Sequence, residues 1–165
     1  MQKLERAVKM PPCDDTLCKV ASIMVKDHVF PMVDMRIKTL FGCHKFMQLI
    51  EKGFIRIYGV YSNNGFCGFC YGRLQEDNET FEVHVMFDRH IDVVQACKLC
   101  KEVMAKDYAL EGHEVKYTVG YIPSYNRGAM LMAKRYGCED LGECDITIIG
   151  NDLQAIKCHK MRARV

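Results

Sequence analysis

The sequence predicts an α/β fold, α+β in flavour: one mixed β-sheet covered by helices, in the order β-α-α-β-β-β-α-β-α-β-β. Three observations lead there. Apolar residues recur at helical spacing in the first third of the chain and again after Asp92, but at a period near two between Phe54 and Phe87. Two turn signals, Ser62-Asn63-Asn64-Gly65 and Glu76-Asp77-Asn78-Glu79, join three strand-like runs into an antiparallel meander. A long helix then leads to a further strand, which makes the sheet parallel around that helix.

Taken in order, residues 4–10 form a short strand stopped by Pro11-Pro12. Asp14 and Asp15 stand where a helix cap belongs, ahead of the apolar-rich stretch 17–29, which Pro31 interrupts. A second helix covers 38–52, with Leu40, Phe41, Phe46, Met47 and Ile50 on one side and Gly53 as a left-handed cap. Strands follow at 54–61, 66–74 and 80–87. Asp92 opens the best helix of the chain, where Val93, Cys97, Cys100 and Met104 repeat at i, i+4, i+7 and i+11, ending near Gly112. Residues 114–122 read as a strand, 124–136 as a helix closed by Gly137, and 141–149 as a strand. Gly150-Asn151-Asp152 turns the chain into a last strand at 153–161.

With 165 residues, the chain suits a single domain, 1–165, with a real core. Hydrophobic residues make up 49% and charged ones 27%, with a formal net charge of +2, so no global field argues for nucleic acid or an acidic membrane. The basic cluster near the end, Lys157, Lys160, Arg162 and Arg164, reads as a solvated tail, with phosphate contact as the minority reading. The first residues lack an apolar signal core, and the longest apolar runs are too short to cross a bilayer, so the expected location is cytoplasmic. Ten cysteines are then expected to stay reduced.

Two C-x-x-C pairs raise the question of metal or redox chemistry: Cys67 with Cys70, and Cys97 with Cys100. Residues three apart on a strand point to opposite faces, so Cys67 and Cys70 are expected on opposite sides of the sheet, poorly placed for one metal or one disulfide. A redox dithiol needs its first thiol at a helix N-terminus, where the dipole lowers the pKa, and the Asn-Asn-Gly turn argues for strand instead. Cys97 and Cys100 share the apolar face of their helix. The expectation is packing rather than zinc or thiol chemistry, and no metal site is assigned.

Three stretches resemble the GNAT superfamily, the acetyl-CoA-dependent N-acetyltransferases. They are the hairpin SNNGFCGFCYGRL, the strand, connection and helix FEVHVMFDRHIDVVQACKLCKEVMAKDY, and YIPSYNRGAMLMAKRYGCEDLGE, together about residues 54–145. The last is the most specific, resembling that family's Asn-x-x-Ala…Gly-Phe…Gly segment. With a His-bearing central strand and an "IPxxNRxA" helix start, the chain is also similar to acetyltransferase-like proteins of tailed phages, for which the location would be a host cytoplasm. The resemblance implies a cleft where strand 80–87 parts from strand 114–122, with acetyl-CoA as co-substrate and an amine, unidentified from the sequence, as acceptor. Backbone N–H groups near Met86 and Phe87 would polarise the thioester carbonyl. Glu82 and His84, on the face opposite Phe81, Val83, Val85 and Phe87, are the candidate general bases; the plain alternative is that both face solvent or bond across the meander.

The departures from the family pattern are specific. Its phosphate loop, Gln/Arg-x-x-Gly-x-Gly/Ala, aligns with Arg89, His90, Ile91, Asp92, Val93 and Val94: the arginine matches and both glycines are gone. Asp92 places a carboxylate among the N–H groups that would bind phosphate. The family's general-acid tyrosine position holds Ala133, with Tyr136 about a turn further on, and Asn126, commonly a cofactor or structural contact, is kept. The leading expectation is an N-acetyltransferase acting by direct attack. The alternative is a GNAT-fold protein without catalysis that serves in binding or assembly, for instance as a phage component.

Overall fold

The computed structural model describes residues 2–26, 40–149 and 153–165. Strand β1 (Leu4–Lys9) is followed by helices α1 (Asp14–Met24) and α2 (Leu40–Glu51), then by the meander β2 (Arg56–Ser62), β3 (Gly65–Leu74) and β4 (Thr80–Phe87). Helix α3 (Val93–Ala109) leads to β5 (Tyr117–Pro123), α4 (Arg127–Tyr136), β6 (Glu139–Ile149) and β7 (Leu153–Arg164). The expected element order is present. Seven strands form one mixed sheet, β1-β2-β3-β4-β5-β7-β6, in which β4 and β5 run parallel and every other pairing is antiparallel.

Several boundaries differ for local reasons. The N-cap of α1 is Cys13, with no side-chain cap bond. Asp14 and Asp15 lie instead inside the first turn, where their charge favours the positive end of the helix dipole. That helix stops at Met24, and the rest of the expected stretch, residues 27–29, lies outside the described residues, as do 38–39 and the side chains of Leu40 and Phe41. Gly53 has the positive φ expected of it, +73°. The last strand runs on to Arg164, so the basic cluster belongs to the sheet rather than to a loose tail.

Two apolar layers sandwich the sheet. On one face Ala96, Cys100, Met104 and Tyr108 of α3 pack on Leu4, Tyr58, Val60, Phe81 and Phe87. On the other, Val20, Ile23 and Met24 of α1 and Phe46 and Ile50 of α2 pack on Ile57, Phe69, Tyr71 and Met86.

A bulge overturns one expectation. Tyr61 pairs with Phe66 and Val60 with Gly68, so Cys67 has no opposite residue on β2, and Gly68 takes φ +137°. The extra residue reverses the alternation. Cys67 and Cys70 therefore lie in the same core, on the α3 face, instead of on opposite sides of the sheet. Glycine is also required by close approach further along β3, where a Cβ on Gly72 would stand 1.7 Å from the Glu82 carbonyl oxygen.

Candidate active site where β4 and β5 part

The parallel ladder between β4 and β5 is short. It runs Thr80↔Tyr117, Phe81↔Thr118 and Glu82↔Val119, then stops, while β5 continues to Pro123 against β7 alone. Hydrogen-bond parity decides which β4 amides face the resulting gap. The Asp88 N–H donates to the Cys67 carbonyl at 2.8 Å and Gln75 N–H donates to Thr80 O at 2.8 Å, so even-numbered residues of β4 direct their backbone groups at β3. Met86, opposite Phe69, is one of these; its N–H serves the β3 ladder and does not face the gap, contrary to the expectation. Val83, Val85 and Phe87 have the opposite parity. The Val83 carbonyl lies 3.4 Å from where a Gly120 side chain would begin, at the narrow end of the gap, and the Val85 side chain is 46% exposed.

Side chains on β4 divide as the alternation predicts. Phe81, Val83 and Phe87 belong to the α3 layer, while Met86 joins the α1/α2 layer, on the face shared by Glu82 and His84. Glu82 and His84 form a pair: Oε1 of Glu82 lies 3.3 Å from His84 Nε2. Tyr71, directly across β3, stacks its ring on the imidazole at 4.9 Å between centroids and 16° between planes. On the carboxylate's other side, Arg73 Nε lies 3.6 Å from Oε2. The His84 hydrogen bond, working against burial, holds the Glu82 carboxyl below the usual carboxylate range, so it is ionised at neutral pH. The carboxylate side chain is 20% exposed and the imidazole 42%: the pair is anchored from below and open from above. An imidazole oriented by an ionised carboxylate and reachable from solvent can take a proton from an incoming amine.

Tyr71 and Arg73 were missed by the sequence reading, although the signal was present. The four-residue turn Glu76-Asp77-Asn78-Glu79 sets Gln75 against Thr80 and Leu74 against Phe81, and counting back from it sets Tyr71 against His84 and Arg73 against Glu82.

On the opposite face, α3 begins where a pyrophosphate was expected. Asp92 is its N-cap, and its Oδ1 accepts the Gln95 N–H at 3.1 Å, so the carboxylate occupies one of the helix-end donors. Val93 and Val94 form the first turn, half-buried. Ile91 is buried and bridges Gln2, whose N–H donates to the His90 carbonyl at 3.1 Å. The Arg89 side chain is exposed, and its N–H donates to Asp88 Oδ1 at 2.8 Å. The segment 89–94 thus keeps one outward cation and a helix start partly closed by its own cap.

Asn126 proves to be the N-cap of α4, with Oδ1 accepting the Ala129 N–H at 3.0 Å and the residue 8% exposed. Tyr136 is not brought together with Glu82 and His84. Its ring lies 5.6 Å from the Lys101 ammonium on α3, among the cysteines of the α3 face, and burial pushes its phenol pKa well up. The thiols there behave as core groups. Burial raises Cys70, which sits against Cys100, and pushes Cys97 up to about 12. Among the described residues, no group of three or more His, Cys, Asp or Glu is arranged to hold a metal ion. No described helix is long and apolar enough to cross a membrane.

No family model matches the chain, and no curated protein does. Solved structures do. A GNAT-family acetyltransferase from Bacillus anthracis superposes with a TM-score of 0.72 at 11% identity, over 99% of this chain and 97% of that one. A ribosomal-protein alpha-N acetyltransferase in complex with coenzyme A gives 0.69 at 11% identity, over 99% and 98%. A spermidine N-acetyltransferase variant from Vibrio cholerae gives 0.66 at 10% identity, over 98% and 93%. The chain has the GNAT acetyltransferase fold.

Proposed function

We propose that this chain, built on the GNAT acetyltransferase fold, transfers an acetyl group from acetyl-CoA to an amine by direct attack. The observation that carries the proposal is the Glu82–His84 pair, open to solvent beside the end of the β4–β5 ladder. Acetyl-CoA supplies an acyl thioester. The unladdered edge of β4 suits the extended arm of such a thioester, because the Val83 carbonyl and the backbone groups of Val85 point across the gap and can be met as a neighbouring strand would meet them. His84, oriented by Glu82 and by the Tyr71 ring, takes the proton that the amine must shed. The Val85 N–H, which has gap-facing parity as that of Met86 does not, would polarise the carbonyl. Arg89 and the N–H groups of Val93 and Val94 would hold the phosphates.

One observation favours a second reading, a GNAT-fold binding or assembly protein without catalysis: the Asp92 carboxylate sits on the helix start that phosphate would use. Acetyl-CoA binding separates the two. We expect weak binding, tens to hundreds of micromolar or about 5–6 kcal/mol, seen as a thermal shift that grows with acetyl-CoA concentration. Arg89→Ala should weaken it, and Asp92→Gly should tighten it by removing both the charge and the side chain. Absence of any shift at millimolar acetyl-CoA, in wild type and Asp92→Gly alike, gives the non-catalytic reading the lead.

A further inference from the structure

The basic cluster near the end of the sequence is a strand, and its alternation matters. Along β7, Lys160, Arg162 and Arg164 point to one face while His159, Met161 and Ala163 point to the other. The pairings Glu82↔Val119 and Val119↔Arg162 put that basic row on the face of Glu82 and His84. Arg162 confirms the direction: its Nη2 donates to Glu139 Oε2 at 2.8 Å, and its guanidinium lies 5.0 Å from the Tyr117 ring centroid. Lys160 is set against Tyr121, one step beyond Val119 and so level with His84 across the gap.

Among the described residues, the charges on this face do not balance. Glu82 is engaged by His84 and Arg73, and Glu139 by Arg162. Lys160 is half-buried, and no ion pair or hydrogen bond holds its ammonium among the described residues. Arg164 is exposed and lies level with Tyr117, away from the gap. A partly desolvated, uncompensated ammonium beside a base pair favours an anion in its vicinity.

We propose that the acceptor is an anionic amine, with Lys160 binding its carboxylate or phosphate while His84 and Glu82 receive its nitrogen. This rests on the acyl-transfer reading of the same site. Two strand spacings, the first of them widened where β4 and β5 part, separate β4 from β7, so nitrogen and anion stand at least about 10 Å apart, three or more residues of extended peptide. Lys160 is thus a specificity-determining residue.

The test uses short peptides with a free N-terminus whose third residue is aspartate, phosphoserine, asparagine or lysine. Coenzyme A release is followed with acetyl-CoA, and binding of the same peptides without it. The acidic peptides should show a KM about tenfold or more below that of the asparagine peptide, at similar kcat. The ratio between the aspartate and phosphoserine peptides identifies which anion is preferred. Lys160→Gln should abolish the preference, Lys160→Arg should retain it, and Lys160→Glu should turn it towards the lysine peptide. Release that is indifferent to the third residue, a preference that survives Lys160→Gln, or no binding by any peptide overturns the proposal. Lys160-dependent binding of acidic peptides with no release of coenzyme A would sustain it and overturn the acyl-transfer reading instead.

Discussion

His84 is held from two sides, by the Glu82 carboxylate and the Tyr71 ring, and open on a third. If this is the base, Glu82→Gln and His84→Gln should each slow coenzyme A release, the imidazole variant by about 10²–10⁴, while the acetyl-CoA thermal shift stays near wild type. Equal turnover in both single variants and the double variant would remove this strand from the chemistry. At this scale the sequence was legible wherever alternation alone decides: Glu82 and His84 were placed on one face correctly. It misled where hydrogen-bond parity decides. Met86 and Val85 are equivalent to a reader of composition, and only the register with β3 tells which N–H is already engaged. Asp92 was legible as an obstacle, because a carboxylate ahead of a helix is a cap before it is anything else.

Among the elements, β3 constrains the site most tightly. It sits between β2 and β4, carries Tyr71 and Arg73, and at Gly72 admits the Glu82 carbonyl so closely that no side chain fits. Gly72→Ala should cost about 3 kcal/mol, the upper end of ordinary overpacking, because the obstruction is backbone rather than a movable side chain. Urea unfolding should show a lower midpoint at unchanged slope; an unchanged midpoint would mean that β3 and β4 separate more readily than this packing implies. Element types and order were legible from period and turn chemistry; β4 matched to the residue, and α3 matched at its start but ends at Ala109 rather than near Gly112. The bulge at Cys67 was not legible: a Gly inside a strand signals one weakly, and the regular alternation assumed in its place reversed the face assigned to a cysteine.

Across the whole molecule, one polar knot ties the α3 face to the edge of the sheet. Asp107 of α3 accepts from Lys9 of β1 at 2.8 Å, from Arg56 of β2 at 2.7 Å and from the Tyr58 hydroxyl at 3.0 Å, while Arg56 also pairs with Glu111. Burial opposes ionisation of Asp107, but these donors outweigh it and hold the carboxyl below the usual range. A carboxyl depressed on folding adds stability above its unfolded pKa, about 4, and loses it as pH falls through the lower folded value. Asp107→Asn should therefore destabilise the protein at pH 7 by about 2–3 kcal/mol, and less as pH falls below about 4. A wild-type-to-variant gap in melting temperature that is constant from pH 7 to pH 3 would contradict this account.

Mechanically, the sheet is two plates hung on a seam. One plate is β1 to β4, the other β5 to β7, and the described ladder between them has three rungs, Thr80↔Tyr117 to Glu82↔Val119, with Glu79 bonding Lys116 and Tyr117 just below it. Each plate is cross-laced along its own length, so strain applied to the molecule concentrates at the seam. The mouth beside His84 is then an angle rather than a hole, and its width is set by how far the plates are swung. A small swing at the rungs becomes a larger displacement at Pro123, the far end of β5, as with any hinged arm. The width of that angle accordingly follows the stiffness of three backbone pairings, the last of them at Glu82, the partner of His84.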